Sequence, residues 1–111
     1  MQESPIFTKT YDLLLWISQH VSKFPKSERF RLAKRIEDSV FTFYDSILMA
    51  VRHPEKAHQW LANADDNLAR LKVFLRLAKD AQYTSHHQYI HVVGMAVEIG
   101  KLLGGWMKKI G

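Results

Sequence analysis

Lysine and arginine are concentrated in two short windows of this sequence, residues 23–35 and 70–79. The windows hold ten of the sixteen Lys and Arg residues but only one of the eleven Asp and Glu residues, Glu28. Cations segregated in this way favour a surface that binds a polyanion such as RNA or DNA. The candidate nucleic-acid-binding residues are Lys23, Lys26, Arg29, Arg31, Lys34, Arg35, Arg70, Lys72, Arg76 and Lys79.

Two like-charged pairs support this interpretation. Arg31 and Arg35 are four residues apart, as are Lys72 and Arg76. Each such pair costs ~0.2–0.5 kcal/mol on an isolated helix, and bound phosphates would offset that repulsion. No zinc-finger, RNP or helix-turn-helix motif accompanies the windows, so we expect electrostatic contacts with little base readout.

Two alternatives stay open for the basic residues. The windows could be a solvated face that binds nothing. Arg29 and Arg35 could also be structural, either capping carbonyl groups or pairing with Asp80 or Glu98.

The histidines and carboxylates do not form a catalytic or metal-binding pattern. His87 and His91 have a spacing that can hold zinc, but no glutamate follows His87 and no third ligand is evident. Adjacent carboxylates such as Asp65 and Asp66 point about 100° apart on a helix and make no acid/base pair. P-loop, dinucleotide-binding and nucleophile-elbow motifs are absent. We therefore expect no enzyme activity, no cofactor and no metal site.

Composition indicates a soluble protein of the cytoplasm. The chain of 111 residues is 47% hydrophobic and 24% charged, a size and balance typical of a single globular domain over residues 1–111. Zero Cys excludes disulfides and thiolate sites. The N-terminus lacks the features of a secretory signal. Residues 92–107 are the most apolar segment, but Glu98 and Lys101 interrupt it, so we expect no membrane partner.

Apolar residues recur at helical spacing throughout the chain, with no alternating strand pattern. Four stripes follow this spacing, each predicting one helix face packed in a bundle. They are Phe7, Leu14, Ile17 and Val21; Phe30, Ala33, Val40, Phe43, Ile47 and Val51; Ala57, Leu61, Ala64, Leu68, Leu71, Leu75 and Ala78; and Tyr89, Val92, Ala96, Ile99, Leu103, Trp106 and Ile110.

Capping residues and prolines separate these stripes. Ser4 precedes Pro5, which suits the start of a helix, and Pro25 should end the first helix. Ser27 is a candidate cap for the second helix, and His53–Pro54 divides the second from the third. Residues 85–88 match a capping box.

The expected fold is therefore all-α, an up-down-up-down antiparallel four-helix bundle with helices at about 5–23, 27–52, 54–81 and 85–109. In this topology the start of the second helix and the end of the third lie at the same end, so the two basic windows would form one patch. Apolar residues outside the stripes hint at a subunit interface: Leu13, Trp16, Phe41, Trp60, Phe74, Leu77, Val93 and Leu102. Gly100 and Gly104, one turn apart, would let another helix approach closely, from the same chain or from another subunit.

Four segments follow the motifs of one known family. FPKSERFRLAKRI at 24–36 resembles the signature F-P-R/K-x-x-R-F-x-L-G-x-R-I, with Ala33 in place of the expected glycine. Leu68 followed by LKVFLRLAK at 71–79 is similar to the helix motif L-x-x-L-R-x-x-x-R-L-A, and EIGKLLGGW at 98–106 to the ending E-I-G-x-x-x-G-G-W. YDLLLW at 11–16 is also similar to the family's opening. Together these segments resemble the accessory variability determinant (Avd) family of diversity-generating retroelements.

The resemblance implies a four-helix bundle that assembles as a homopentamer around a central channel. It also implies a non-catalytic accessory protein that binds a reverse transcriptase and template RNA or DNA during mutagenic retrohoming. Related bundle proteins encoded in ribosomal RNA intervening sequences are the nearest alternative identity. A purely structural oligomeric scaffold that binds only protein is the second alternative.

Overall fold

Four α-helices, connected in sequence, form an antiparallel bundle in a computed structural model that describes residues 4–111. Each helix packs against the next along the chain, and the fourth also packs against the first. The bundle measures 42 × 24 × 24 Å. The predicted all-α four-helix fold is confirmed. The helices are α1 (Pro5–Val21), α2 (Leu32–Arg52), α3 (Ala57–Asp80) and α4 (His86–Lys109), with 3₁₀ turns at Lys26–Glu28 and Pro54–Lys56.

The core lies along the predicted stripes of α3 and α4 almost without exception. All seven stripe residues of α3, from Ala57 to Ala78, are buried. The central residues of the α4 stripe, Val92 to Leu103, are buried as well. Leu13, which lies outside the predicted stripe of α1, is fully buried, so it belongs to the core and not to a subunit contact.

The predicted helix ends are mostly correct. The Ser85 hydroxyl accepts a hydrogen bond from the Gln88 backbone N–H, and the Ser85 backbone N–H donates one to the Gln88 side-chain oxygen, so the capping box is confirmed. Pro5 occupies the first turn of α1 after Ser4, although the Ser4 side chain makes no capping bond. Pro54 opens the 3₁₀ turn that joins α2 to α3 with almost no loop.

The start of α2 was predicted wrongly. The helix begins at Leu32 and not near residue 27, and Ser27 caps nothing because it lies in the 3₁₀ turn. Residues 25–31 are held by bonds between residues three apart, including Arg31 N–H to the Glu28 carbonyl at 3.1 Å. Arg31 then leaves helical geometry, with φ −116° and ψ −105°. We call residues 25–31 the basic turn.

The basic turn changes the environment of Phe30. This residue was predicted to lie on the buried stripe of α2, but its exposed fraction is 78%. Val51, at the other end of the same predicted stripe, is also exposed. Both predictions were wrong. Phe30 precedes the first residue of α2, so helical spacing does not apply to it, and Val51 lies in the last turn of α2, at the end of the bundle.

A left-handed residue closes α3. Gln82 has φ 67°, a conformation that reverses the chain after a helix. The backbone N–H groups of Tyr83 and Thr84 both donate to the Ala78 carbonyl, at 2.9 and 3.3 Å. This fixes Tyr83 and Thr84 over the end of the bundle where α1 ends and α2 begins.

The α4 helix is long and apolar enough to cross a membrane by length and composition, with a mean hydropathy of 1.2 in its most apolar window. One such helix is weak support for a membrane span, because core helices of soluble bundles have the same composition. Only 22% of that window is buried within the subunit, so α4 exposes apolar surface.

Candidate nucleic-acid interface

The two basic windows lie at the same end of the bundle, where α2 begins and α3 ends. The clearest contact between them joins Arg35 on α2 to Phe74 on α3. The guanidinium carbon of Arg35 lies 4.9 Å from the centroid of the Phe74 ring, within range of a cation–π interaction. The basic residues nevertheless divide among three sides of this end.

The first group lies on the α2–α3 side. Arg31 and Arg35 line a depression of about 380 Å³ together with Phe30, Phe74 and Leu77. Arg70 precedes Phe74 by four residues on α3 and therefore shares its face of the helix. Lys34 is exposed on α2, next to this group in sequence.

The second group lies on the α3–α4 side. The Lys79 ammonium is 4.9 Å from the centroid of the Tyr89 ring. The Lys72 ammonium lies beside Gly100, where it would be 3.9 Å from an added Cβ. Arg76 is one turn beyond Lys72 on the same side of α3.

The third group lies on the α1–α2 side. Lys26 and Arg29 line a cavity of about 460 Å³ with Ser18, Ser22 and Glu37. Lys23 is exposed just after α1. Ala33, where the Avd signature has glycine, is buried and forms part of the cavity wall.

Carboxylates neutralise this end of the bundle only in part. Among residues 4–111, six of the ten candidate residues have no carboxylate oxygen within 4.0 Å of their side-chain nitrogens: Lys23, Lys26, Arg29, Arg35, Arg70 and Lys72. The other four have one: Arg31 with Glu28 at 3.8 Å, Lys34 with Asp38 at 3.0 Å, and Arg76 and Lys79 with Asp80 at 3.9 and 3.6 Å. The pairs with Asp38 and Asp80 are largely exposed and contribute little to stability. In the Arg31–Glu28 pair the arginine is exposed and the glutamate is buried.

The structural partners considered for Arg29 and Arg35 are occupied elsewhere. Asp80 pairs with α3 cations, and Glu98 pairs with Lys9 at 2.8 Å. The predicted pairing of Arg29 or Arg35 with either carboxylate is therefore wrong within the part of the chain that the structure describes. Arg35 instead has a structural contact that the sequence did not indicate, the ring of Phe74.

Buried polar side chains hold the basic turn in place. The Glu28 side chain is 10% exposed, and one of its carboxylate oxygens accepts a hydrogen bond of 2.9 Å from the Tyr83 phenol. Its other oxygen lies 3.4 Å from the Leu32 backbone N–H, at the start of α2. The hydrogen bond to Glu28, together with burial, raises the pKa of Tyr83 above its ordinary value.

A second polar contact joins the end of α1 to the connection between α3 and α4. His20 Nε2 and the Thr84 hydroxyl are 2.8 Å apart and buried, and the His20 ring stacks on Trp16 with centroids 4.6 Å apart. Burial lowers the pKa of His20, and the charge of Lys23 lowers it further. A neutral imidazole is therefore favoured here, and it joins the end of α1 to the α3–α4 connection.

Sequence reasoning missed the exposure of Phe30 and the contact between Glu28 and Tyr83. Phe30 stands between two arginines, Arg29 and Arg31, and an aromatic residue flanked by cations is the signal that could have marked it as exposed. Glu28 was noted only as the one acidic residue of its window. No local sequence pattern indicates its contact with Tyr83, which is 55 residues away. Within residues 4–111, no group of three or more His, Asp or Glu side chains is arranged to hold a metal ion.

Comparison with known proteins gives a family match over nearly the whole chain. A sequence model of the family described as bAvd-like matches residues 5–110. No curated protein matches the chain.

Proposed function

Because this chain belongs to the bAvd-like family of accessory, non-catalytic proteins, we propose that it is the accessory protein of a diversity-generating retroelement. In this proposal it acts in the cytoplasm, binds template RNA and DNA through their phosphates, and docks a reverse transcriptase for mutagenic retrohoming.

One observation carries the nucleic-acid part of the proposal. Ten of the sixteen Lys and Arg residues lie around one end of the bundle, and six of them have no carboxylate within 4.0 Å among residues 4–111. A phosphate backbone that contacts such cations releases its condensed counterions, which favours binding. The distribution over three sides suits a strand that wraps around the end of the bundle.

A salt titration of binding tests this. The variant Arg31→Gln, Lys34→Gln, Lys72→Gln and Arg76→Gln should bind RNA and DNA more weakly, and its log affinity should fall less steeply with log salt than that of the wild type. The matched control carries Arg52→Gln, Lys56→Gln, Lys108→Gln and Lys109→Gln. These four residues are exposed at the opposite end of the bundle and give the same change in net charge.

The control separates local binding from overall charge. The control variant should keep the wild-type slope of log affinity against log salt. Circular dichroism should show that all three proteins are folded. Equal slopes for the wild type and the first variant would contradict nucleic-acid binding at this end and favour a scaffold that binds only protein.

Assembly as a homopentamer is the second part of the proposal. The outer face of α4 exposes Ile90 and Val97, and α1 exposes Tyr11 and Leu15. Apolar surface on two helices is more than an isolated subunit needs, and a neighbouring copy would cover it. Sedimentation equilibrium should give about five times the 13.0 kDa subunit mass. A monomer at micromolar concentration would contradict this assembly.

The reverse transcriptase partner is tested by co-expression. The enzyme encoded beside this gene, with paired near-repeats nearby, should co-purify with the protein after nuclease treatment. A gene located in a ribosomal RNA intervening sequence, with no reverse transcriptase beside it, would favour the alternative identity.

A further inference from the structure

Phe30 has an unusual position for a phenylalanine. Its exposed fraction of 78% is larger than that of any other exposed large hydrophobic residue in residues 4–111. It projects from the basic turn, between Arg29 and Arg31. Phe30 also adjoins other apolar surface, because the exposed Leu77 and the ring of Phe74 line the same depression. Contiguous exposed apolar surface, unlike a single exposed residue, marks a binding site.

The backbone under Phe30 is well fixed. The Arg29 and Arg31 N–H groups donate to carbonyls within the basic turn at 3.2 and 3.1 Å. The buried Glu28 side chain ties the same turn to Tyr83. The ring is therefore presented on a preorganised support, which lowers the entropy lost when a ligand binds.

The surface beside Phe30 is both apolar and cationic. Phe30, Phe74 and Leu77 form the apolar part of the 380 Å³ depression, and Arg31 and Arg35 border it. Within residues 4–111, no carboxylate lines the depression. A complementary ligand would combine a flat ring with nearby negative charge.

We propose that Phe30 and this depression are a stacking site for an unpaired base of single-stranded nucleic acid, with the adjacent phosphates bound by Arg31, Arg35 and Arg70. The proposal rests on the nucleic-acid binding proposed above and goes beyond it by specifying single strands. Bases of a duplex are stacked on each other and present no free face to an aromatic side chain, whereas every unpaired base does.

A docked protein helix fits this surface less well. Helix-in-groove binding uses several apolar anchors spaced along a groove. Here a single aromatic ring projects from a turn between cations. Cations lie on both sides of the ring, so this surface is complementary in charge to a polyanion.

The test measures binding of labelled strands of about 16 nucleotides at one salt concentration, by fluorescence anisotropy. One strand carries bases, a second of the same length is abasic, and the third is the duplex. The proteins are the wild type, Phe30→Ala, Phe30→Leu, Phe30→Trp and the control Val51→Ala. Val51 is an exposed apolar residue of α2 at the opposite end of the bundle and lines neither cavity.

The wild type should bind the base-containing strand about tenfold more tightly than the abasic strand. Phe30→Ala and Phe30→Leu should lose this preference and still bind both strands through phosphates. Phe30→Trp and Val51→Ala should keep it. Phe30→Leu retains an apolar side chain without a π face, so its loss of preference would assign the effect to stacking.

Two results overturn the proposal, and they are distinguishable from failure of the proposed function. If the wild type binds base-containing and abasic strands equally, or if Phe30→Ala keeps the preference, the stacking site is wrong while phosphate binding stands. The Phe30 surface would then be assigned to a protein partner. If the wild type binds no strand at all, the proposed nucleic-acid function fails with it.

Discussion

The phenol of Tyr83 donates a 2.9 Å hydrogen bond to the carboxylate of Glu28, and this contact joins the basic turn to the connection between α3 and α4. The residues are 55 positions apart. The position of Arg29, Phe30 and Arg31 therefore depends on a partner from the other half of the chain.

Replacing Tyr83 by Phe should lower the urea concentration at the midpoint of unfolding, because it leaves the buried Glu28 carboxylate without its donor. Glu28→Gln should also lower it. The double variant should lose less than the sum of the two single losses, since both remove the same contact. Additive losses would show that the hydrogen bond is not formed in solution.

The buried His20 should make the protein less stable in mild acid. Its pKa is lowered from the ordinary value of 6.5, so the unfolded chain takes up a proton before the folded protein does. The stability that this neutral imidazole contributes is complete above 6.5 and is lost as the pH falls toward the folded-state pKa.

This is checked by measuring unfolding midpoints from about pH 8 to about pH 5 for the wild type and for His20→Gln. The wild type should lose more stability over that range. Other groups near this end, including Lys23, His91 and Glu28, are present in both proteins, so the difference between the two curves isolates His20. Parallel curves would contradict the prediction.

The contact between Arg35 and Phe74 should have a measurable coupling energy of about 0.5–1 kcal/mol, typical of an exposed cation–π pair. It is obtained from a double-mutant cycle of Arg35→Gln and Phe74→Leu in urea unfolding. Lys34→Gln with Phe74→Leu is the matched control, because Lys34 pairs with Asp38 instead. Its coupling should be near zero, and equal couplings in both cycles would argue against the contact.

Gly94→Ala should stabilise the folded subunit by about 0.8–1 kcal/mol, because alanine favours a helix over glycine. Within residues 4–111, no atom apart from the adjacent residues and the backbone of the same helix turn lies within 4 Å of the added Cβ. Gly100→Ala should gain less, because its Cβ would contact Leu68 at 3.4 Å. Urea unfolding measures both. A loss of stability at Gly94 would reveal a packed neighbour there, as expected of a subunit contact.

The sequence predicted those parts of the fold that depend on local spacing. The α3 stripe, the Ser85–Gln88 capping box and the Pro54 junction were all correct, because each is determined by residues within one or two helical turns. The order of the antiparallel helices alone predicts that the two basic windows lie at the same end of the bundle.

The basic turn could not be predicted in this way. Phe30 continues the spacing of the α2 stripe, and no local feature marks it as lying before the first residue of the helix. The turn that contains it is held by the contact between Glu28 and the distant Tyr83. The division of the cations among three sides could not be predicted for the same reason. It depends on where Arg31 leaves helical geometry and on which ring lies beneath Arg35, and neither is a property of a local pattern.

The nearly loopless junction at Pro54 has a consequence for the order of folding. α2 and α3 make the most extensive helix–helix contact of the bundle, and their junction is among the shortest. Closing such a short loop costs little entropy, so this helical hairpin should form in the folding transition state before α1 and α4 dock. Ile47→Val and Leu61→Ala should then slow folding, whereas Ile17→Val and Ile99→Val should mainly speed unfolding, as stopped-flow kinetics would show. The hairpin carries Phe74, Arg35 and Arg70, so the depression that we propose as a stacking site would exist before the bundle is closed.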